Sequence, residues 1–209
     1  MFTGLITGVG TVREVQPIGG GKDARFIIEI PDNDEWRGAE IKLGASIACS
    51  GCCLTVIEHG AGWFAVEVSA ESLAFTTLGT WQVGSKINLE GSLRLGAELG
   101  GHLVSGHVDG LAEVSAIVPE NGSTRWSFLL PPHLARFVAP KGSIAINGIS
   151  LTVNEVQDDK SGGDVTEFGV NIIPHTAVHT NFSTLRVGDK VNIEIDMLAR
   201  YVARLKEFS

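Results

Sequence analysis

The chain has 209 residues and a formal net charge of −8, a balance that argues against nucleic acid or an anionic membrane as its main partner. No run approaches the roughly 18 apolar residues of a membrane helix, and Met1-Phe2-Thr3-Gly4 lacks the basic and apolar regions of a secretory leader, so a cytoplasmic protein is expected. Three cysteines, all within positions 49–53, make no disulfide framework.

Taken in chain order, short runs rich in β-branched and aromatic residues and bounded by Gly, Asp, Asn or Pro predict strands. The first half offers 25–30, 46–48, 54–57, 63–68 and 86–90. Gly19-Gly20-Gly21-Lys22-Asp23 reads as a turn and not a phosphate loop, because no Gly-Lys-Ser/Thr and no helix follows it. The second half offers 124–130, 143–146, 151–156, 167–173 and 190–195, with a short helix predicted in 131–137 behind its prolines. Lys86, Asn88 and Glu90, like Lys190, Asn192 and Glu194, alternate with apolar residues and read as a solvated sheet face. Beyond Asp196 the period changes. Met197, Leu198, Tyr201, Val202, Leu205 and Phe208 keep helical spacing, with Arg200, Arg204 and Lys206 opposite.

The two halves repeat one another. Ser46-Ile47-Ala48-Cys49-Ser50-Gly51-Cys52-Cys53-Leu54-Thr55-Val56 returns as Ser143-Ile144-Ala145-Ile146-Asn147-Gly148-Ile149-Ser150-Leu151-Thr152-Val153. Thr3-Gly4-Leu5 returns as Ser105-Gly106-His107, and Val83-Gly84-Ser85-Lys86 as Val187-Gly188-Asp189-Lys190. The offset of about 97 to 104 residues is too long for a solenoid unit and matches one small domain. Two tandem domains, 1–97 and 98–196, are therefore expected, followed by a helical tail at 197–209. Many short strands with turns between them suggest closed β-barrels in an all-β chain. The tail has no counterpart between the domains. It can pack on its own barrel or serve assembly.

Cys49-x-x-Cys52 lacks the second pair of a zinc ribbon and the helix start of a redox pair. Neighbouring residues in an extended segment face opposite ways, and the repeat separates them. Cys52 aligns with Ile149 and reads as core; Cys53 aligns with Ser150 and reads as pocket. The histidines at 102, 107, 175 and 179 lack carboxylate or cysteine partners at ligand spacing, so no metal is expected. A histidine working as a general base suits neutral pH better. His107 stands inside a repeated block where its counterpart is Leu5: the scaffold was copied and the chemistry was not. Gly51 and Gly148 permit close backbone approach to a flat ligand.

Six stretches, in order, carry a resemblance: Met1-Phe2-Thr3-Gly4-Leu5-Ile6, Ser50-Gly51-Cys52-Cys53-Leu54-Thr55-Val56, Gly100-Gly101-His102-Leu103-Val104-Ser105-Gly106-His107-Val108-Asp109-Gly110, Asn147-Gly148-Ile149-Ser150-Leu151-Thr152-Val153, Asn171-Ile172-Ile173-Pro174-His175-Thr176 and Asn192-Ile193-Glu194-Ile195-Asp196. Over essentially its whole length the chain resembles the riboflavin synthase family, of the α-chain type with duplicated lumazine-binding domains. The resemblance implies two tandem six-stranded Greek-key β-barrels related by pseudo-two-fold symmetry, plus a C-terminal α-helix that holds a homotrimer. It implies a transferase that dismutates two molecules of 6,7-dimethyl-8-ribityllumazine by moving a four-carbon unit, with no metal and no other cofactor. Association with lumazine synthase is also compatible with it. The same resemblance assigns His107, Ser150, Thr152, Cys53, Asp196 and Phe2 to catalysis, with Phe2 closing the site. One domain would contribute pocket walls from Gly4, Leu5, Ile6, Cys53, Leu54, Thr55, Glu67, Val68, Ser69, Ala70, Glu71 and Ser72. The other would contribute Gly106, His107, Val108, Lys141, Ser150, Leu151, Thr152, Asn171, Ile172, Ile173, Pro174, His175 and Thr176. His175 stands where some members carry an acid, and Ser50 where many carry Asn. A non-catalytic lumazine- or flavin-binding antenna protein on the same scaffold is the alternative.

Overall fold

The computed structural model describes residues 1–37, 40–158 and 165–208. Ser209, the last residue of the expected tail, lies outside the described residues. Six strands build the first barrel: β1 (Gly8–Ile18), β2 (Asp23–Glu29), β3 (Ser46–Cys49), β4 (Cys52–Gly60), β5 (Trp63–Val68) and β6 (Lys86–Gly91). Six more build the second: β7 (Gly110–Glu120), β8 (Ser123–Leu130), β9 (Ser143–Ile146), β10 (Ile149–Asp158), β11 (Thr166–Ile172) and β12 (Lys190–Ile195). Both barrels close in the same antiparallel order, β1-β2-β5-β4-β3-β6 and its equivalent β7-β8-β11-β10-β9-β12. Closure leaves no unpaired edge strand among the described residues. Short helices α1 (Ala70–Phe75), α2 (Pro132–Ala135) and α3 (Pro174–His179) lie between strands, and α4 (Met197–Lys206) ends the chain.

The sequence pattern found ten strands and missed β1 and β7, each 11 residues long. The reason is local. Register shifts at Val12/Glu14 and at Val114/Ala116, so each strand swaps faces halfway and the period of two is lost. Pro17 and Pro119 weaken the strand signal further.

Each barrel has its own core. Phe26, Ile28, Phe64, Val66, Leu78, Ile87 and Leu89 fill the first; Phe128, Phe168, Val170, Ile146, Val191 and Ile193 fill the second. Cys49 and Cys52 face each other across the β3–β4 hairpin inside the first core, where Ile146 and Ile149 stand in the second. Burial pushes the Cys52 thiol up to about 12 and holds Cys49 well above its ordinary value, so both are inert.

The barrels meet through reciprocal contacts that relate them by an approximate two-fold axis. The β3–β4 and β9–β10 turns abut: a Cβ on Gly51 would lie 2.7 Å from the Gly148 amide nitrogen. Asn192 Nδ2 donates to the Ser50 carbonyl (2.8 Å) and to Thr77 Oγ1 (2.9 Å), while Thr77 N–H donates to Asn192 Oδ1 (2.8 Å). Its counterpart Asn88 donates through Nδ2 to the Asn147 carbonyl (2.9 Å) and to Asn181 Oδ1 (3.0 Å), and accepts from Asn181 N–H (2.7 Å). The expectation of a solvated face on β6 and β12 is thus corrected. Lys86 and Lys190 are exposed, but Asn88, Glu90, Asn192 and Glu194 are at most 4 % exposed, because the second barrel covers the face a lone barrel would leave wet.

Candidate active site

Two extended segments leave their own barrels to pack on the other. Phe2 and Val104 bridge in antiparallel fashion, with Phe2 N–H donating to the Val104 carbonyl at 2.7 Å and Val104 N–H to the Phe2 carbonyl at 3.1 Å. From there Thr3-Gly4-Leu5 arches over the start of β10 in the second barrel, and Ser105-Gly106-His107 over the start of β4 in the first. Ser150 N–H donates to the Gly4 carbonyl, and Cys53 N–H to the Gly106 carbonyl, each at 2.8 Å. Both glycines have positive φ (+76° and +80°), and a Cβ on either would sit 2.6 Å from the Cβ of Ser150 or Cys53. Only glycine fits such an approach. A buried carboxylate holds each arch. Glu90 accepts from Thr3 N–H, Thr3 Oγ and Gly4 N–H; Glu194 accepts from Ser105 N–H, Ser105 Oγ, Gly106 N–H and His107 N–H. Burial, offset in part by these donors, raises the Glu90 pKa above its ordinary value.

The second arch borders an open cavity of about 470 Å³ against the first barrel. Cys52, Cys53, Leu54, Glu71, Ser72, Phe75 and Thr76 meet Gly106, His107, Val108 and Asp109 there. A larger hollow of about 820 Å³ lies beside Trp36, Ile41, Leu93 and Arg94. Of the expected site residues only Leu5 touches it, so the smaller cavity is the better candidate for chemistry.

At the first arch, His102 Nδ1 lies 2.7 Å from Ser150 Oγ, and His102 N–H donates to the Thr3 carbonyl at 3.1 Å. The ring is half-buried, and its Nε2 meets no hydrogen-bond partner among the described residues. Burial lowers the His102 pKa; the charges of Asp196 and Glu194 oppose that shift without reversing it. A neutral imidazole against a hydroxyl is equipped to take a proton. Asp196 follows β12 and caps α4, accepting the Leu198 amide at 2.8 Å.

Cys53 is half-buried and His107 exposed. Thr55 and Thr152 are exposed two positions beyond Cys53 and Ser150, on the same strand faces. Lys141 is exposed at a φ of +67°, where the first copy has Gly44, and its N–H donates to the Val153 carbonyl. Ser69 caps α1, which carries Ala70, Glu71 and Ser72; Glu67 is exposed on β5. Leu151 and Ile6 are half-buried against the second core. Asn171 and Thr176 are half-buried, Ile173 and Pro174 exposed, and the His175 ring stacks on His179 at 4.1 Å between centroids. Phe2, Val68 and Ile172 do not line the smaller cavity. Phe2 is fully buried between the barrels with Ala48, Val104 and Ala145. Val68 and Ile172 point into the two cores. Across the joint, Gly4 packs with Ser150, and Gly106 with Cys53.

The sequence pattern does not single out His102 or the two carboxylates. The signal for the carboxylates was available, since hydroxyl-Gly arches and β6/β12 glutamates recur together in both copies.

A family model described as the lumazine binding domain matches residues 3–92 and 105–196. The chain is 49 % identical over 213 residues to riboflavin synthase of Brucella abortus, covering 100 % of this chain and 99 % of the relative. It is 36 % identical to riboflavin synthase of Bacillus subtilis, covering 98 % and 89 %. Among solved structures, LumP complexed with 6,7-dimethyl-8-(1'-D-ribityl) lumazine aligns with a TM-score of 0.79 at 25 % identity, covering 93 % of this chain and 99 % of that one; LumP complexed with riboflavin aligns at 0.80.

Proposed function

The chain belongs to the riboflavin synthase family, and from that membership we propose that it converts two molecules of 6,7-dimethyl-8-ribityllumazine into riboflavin and 5-amino-6-(ribitylamino)uracil. A four-carbon unit leaves one lumazine and joins the other. The two products together hold the atoms of the two substrates, so the exchange balances without an external oxidant or reductant. Donor and acceptor are the same compound, which suits a duplicated scaffold.

The observation that carries this reading is the reciprocal pair of arches. Each brings a glycine carbonyl onto the first residues of the opposite barrel's inner hairpin, one beside Cys53 and His107, the other beside Ser150 and His102. The copies agree in backbone and differ in side chains, as two pockets with unlike roles require. On this reading the neutral His102–Ser150 pair takes the proton that the C7 methyl of one lumazine must lose. The Asp196 charge favours the imidazolium that forms. His107 and Cys53 orient the ring in the cavity, and the ribityl hydroxyls meet Thr55, Thr152, Ser72, Thr176 and Lys141. Holding two reactants in register supplies up to roughly 7–11 kcal/mol in ideal cases, and proton transfer adds about 10²–10⁴-fold.

The assembly is proposed to be a homotrimer that works in the cytoplasm, with the site shared between neighbouring subunits. The support is α4, whose Leu198, Tyr201 and Leu205 are 62–72 % exposed. Apolar side chains this exposed on one helix suit a partner.

A second reading rests on the LumP likeness: a protein that binds lumazine and leaves it unchanged. Incubation of the purified chain with 6,7-dimethyl-8-ribityllumazine alone separates the two. Riboflavin absorbance that grows with time supports the synthase; a bound but unaltered ligand would overturn it.

A further inference from the structure

The two arch carboxylates are not equivalent. Glu90 Oε1 accepts from Thr3 N–H and Oγ, both at 2.7 Å, and its Oε2 from Gly4 N–H at 3.0 Å. The next amide, Leu5 N–H, goes to Thr3 Oγ at 3.2 Å. Glu194 goes one residue further. Its Oε1 accepts from Ser105 N–H (2.6 Å) and Ser105 Oγ (2.7 Å), and its Oε2 from Gly106 N–H (2.9 Å) and His107 N–H (3.0 Å). The extra bond falls where the copies differ in chemistry, at His107 and not at Leu5.

Glu194 is 4 % exposed and pairs with no cation among the described residues. A carboxylate so buried persists because backbone donors replace its water, and here four donors occupy the roughly four lone-pair sites of its two oxygens. The carboxylate thereby fixes three successive residues. The same arch presents the Gly106 carbonyl to Cys53 N–H at 2.8 Å. One buried group therefore controls the backbone beneath both side chains that face the 470 Å³ cavity from opposite barrels.

We propose that Glu194 is a positioning residue: by clamping Ser105-Gly106-His107 it sets the place of His107 and Cys53 toward the substrate, and it acts on turnover through His107. This rests on the synthase reading. A carboxylate that merely stabilised the barrel joint would alter folding and leave the chemistry of folded molecules unchanged.

Glu194→Gln keeps the shape and replaces one oxygen by an NH₂ group that cannot accept, so two of the four donors lose their partner. Riboflavin formation by the wild-type chain is measured first; its failure sinks the synthase reading, and the exchange measurement below still tests the clamp. In Glu194→Gln, kcat is expected to fall about 10- to 100-fold with KM within about threefold. Combined with His107→Ala, it is expected to cost no more than about twofold beyond His107→Ala alone, because both changes remove one function. Amide hydrogen exchange at Gly106, His107 and Cys53 is expected to speed up in Glu194→Gln. Losses that multiply in the double variant, an unchanged kcat, or unchanged exchange would each overturn the proposal. Should Glu194→Gln fail to fold, Ser105→Ala removes one of the four bonds, with a several-fold loss of kcat and the same failure to add to His107→Ala expected; an additive loss there overturns it equally.

Discussion

His102 Nδ1 and Ser150 Oγ stand 2.7 Å apart although they come from different parts of the chain, one from the linker between barrels and the other from the start of strand β10. The contact forms because Thr3, at the chain's start, accepts the His102 amide while Gly4 accepts that of Ser150. Burial keeps the imidazole neutral, so it can accept from the hydroxyl. Ser150→Ala and His102→Gln are each expected to lower kcat by about 10²-fold with little change in substrate affinity, and the double variant should be no worse than the poorer single one. Steady-state rates of riboflavin formation and equilibrium titration with the lumazine check this. Equal loss of binding and rate would make the pair a ring contact and not a proton path.

The same histidine gives stability a pH dependence of known sign. Its folded pKa lies below the ordinary 6.5, so as pH falls below that value the unfolded chain takes up a proton that the native state refuses. Its contribution is complete above about pH 6.5 and is lost as pH falls through the lower folded pKa. Glu90 acts the other way. Its folded pKa is raised above 4.5, so its share of stability declines as pH rises from that value through the folded pKa. Urea midpoints of the wild type and His102→Gln, compared between about pH 8 and about pH 5, should converge on acidification. A constant gap would refute the assignment.

Ser50 holds φ = +45° at the β3–β4 turn, and Asn147 holds +47° at the equivalent turn. Asn147 Oδ1 accepts from Asn192 N–H at 2.8 Å; Ser50 Oγ makes the matching bond to Asn88 N–H at 3.2 Å. Asparagine tolerates left-handed backbone better than serine does. Ser50→Asn is therefore expected to stabilise the chain by about 0.5–1 kcal/mol in urea unfolding, through better backbone preference and a longer reach. Destabilisation would mean that the joint between the barrels has no room for the amide.

The doubled scaffold was legible because the repeat is strong, and it placed Cys52 in the first core, though Cys52 also lines the cavity beside Cys53. What failed has a physical cause in each case. A bulge erased the alternation of β1 and β7. Lys86-Ile87-Asn88-Leu89-Glu90 looks amphipathic because its outer face is polar, and only the second barrel turns that face into an interior. His102 lies in the linker, where neighbours in sequence say nothing about Ser150. Contacts across the approximate two-fold axis are long-range, and no local pattern encodes them.

The tail helix docks by its polar side. Asp196 caps it, Arg200 pairs with Asp109 at 2.8 Å, and Arg136 reaches Glu207 at 3.5 Å. Asp109 also accepts the Ile195 amide at 2.9 Å, so the Arg200 pair braces the end of β12. Deleting residues 197–209 would remove that brace together with any assembly contact, and a loss of activity would not say which mattered. Leu198→Lys with Val202→Lys changes only side chains that are 72 % and 54 % exposed and leaves every bond just named in place. The double variant is expected to sediment as a monomer, to unfold within about 0.5 kcal/mol of a dissociated wild-type chain, and to lose most of its riboflavin formation. Chains in which each subunit held both lumazines by itself would stay active as monomers, and that result would end the shared-site proposal.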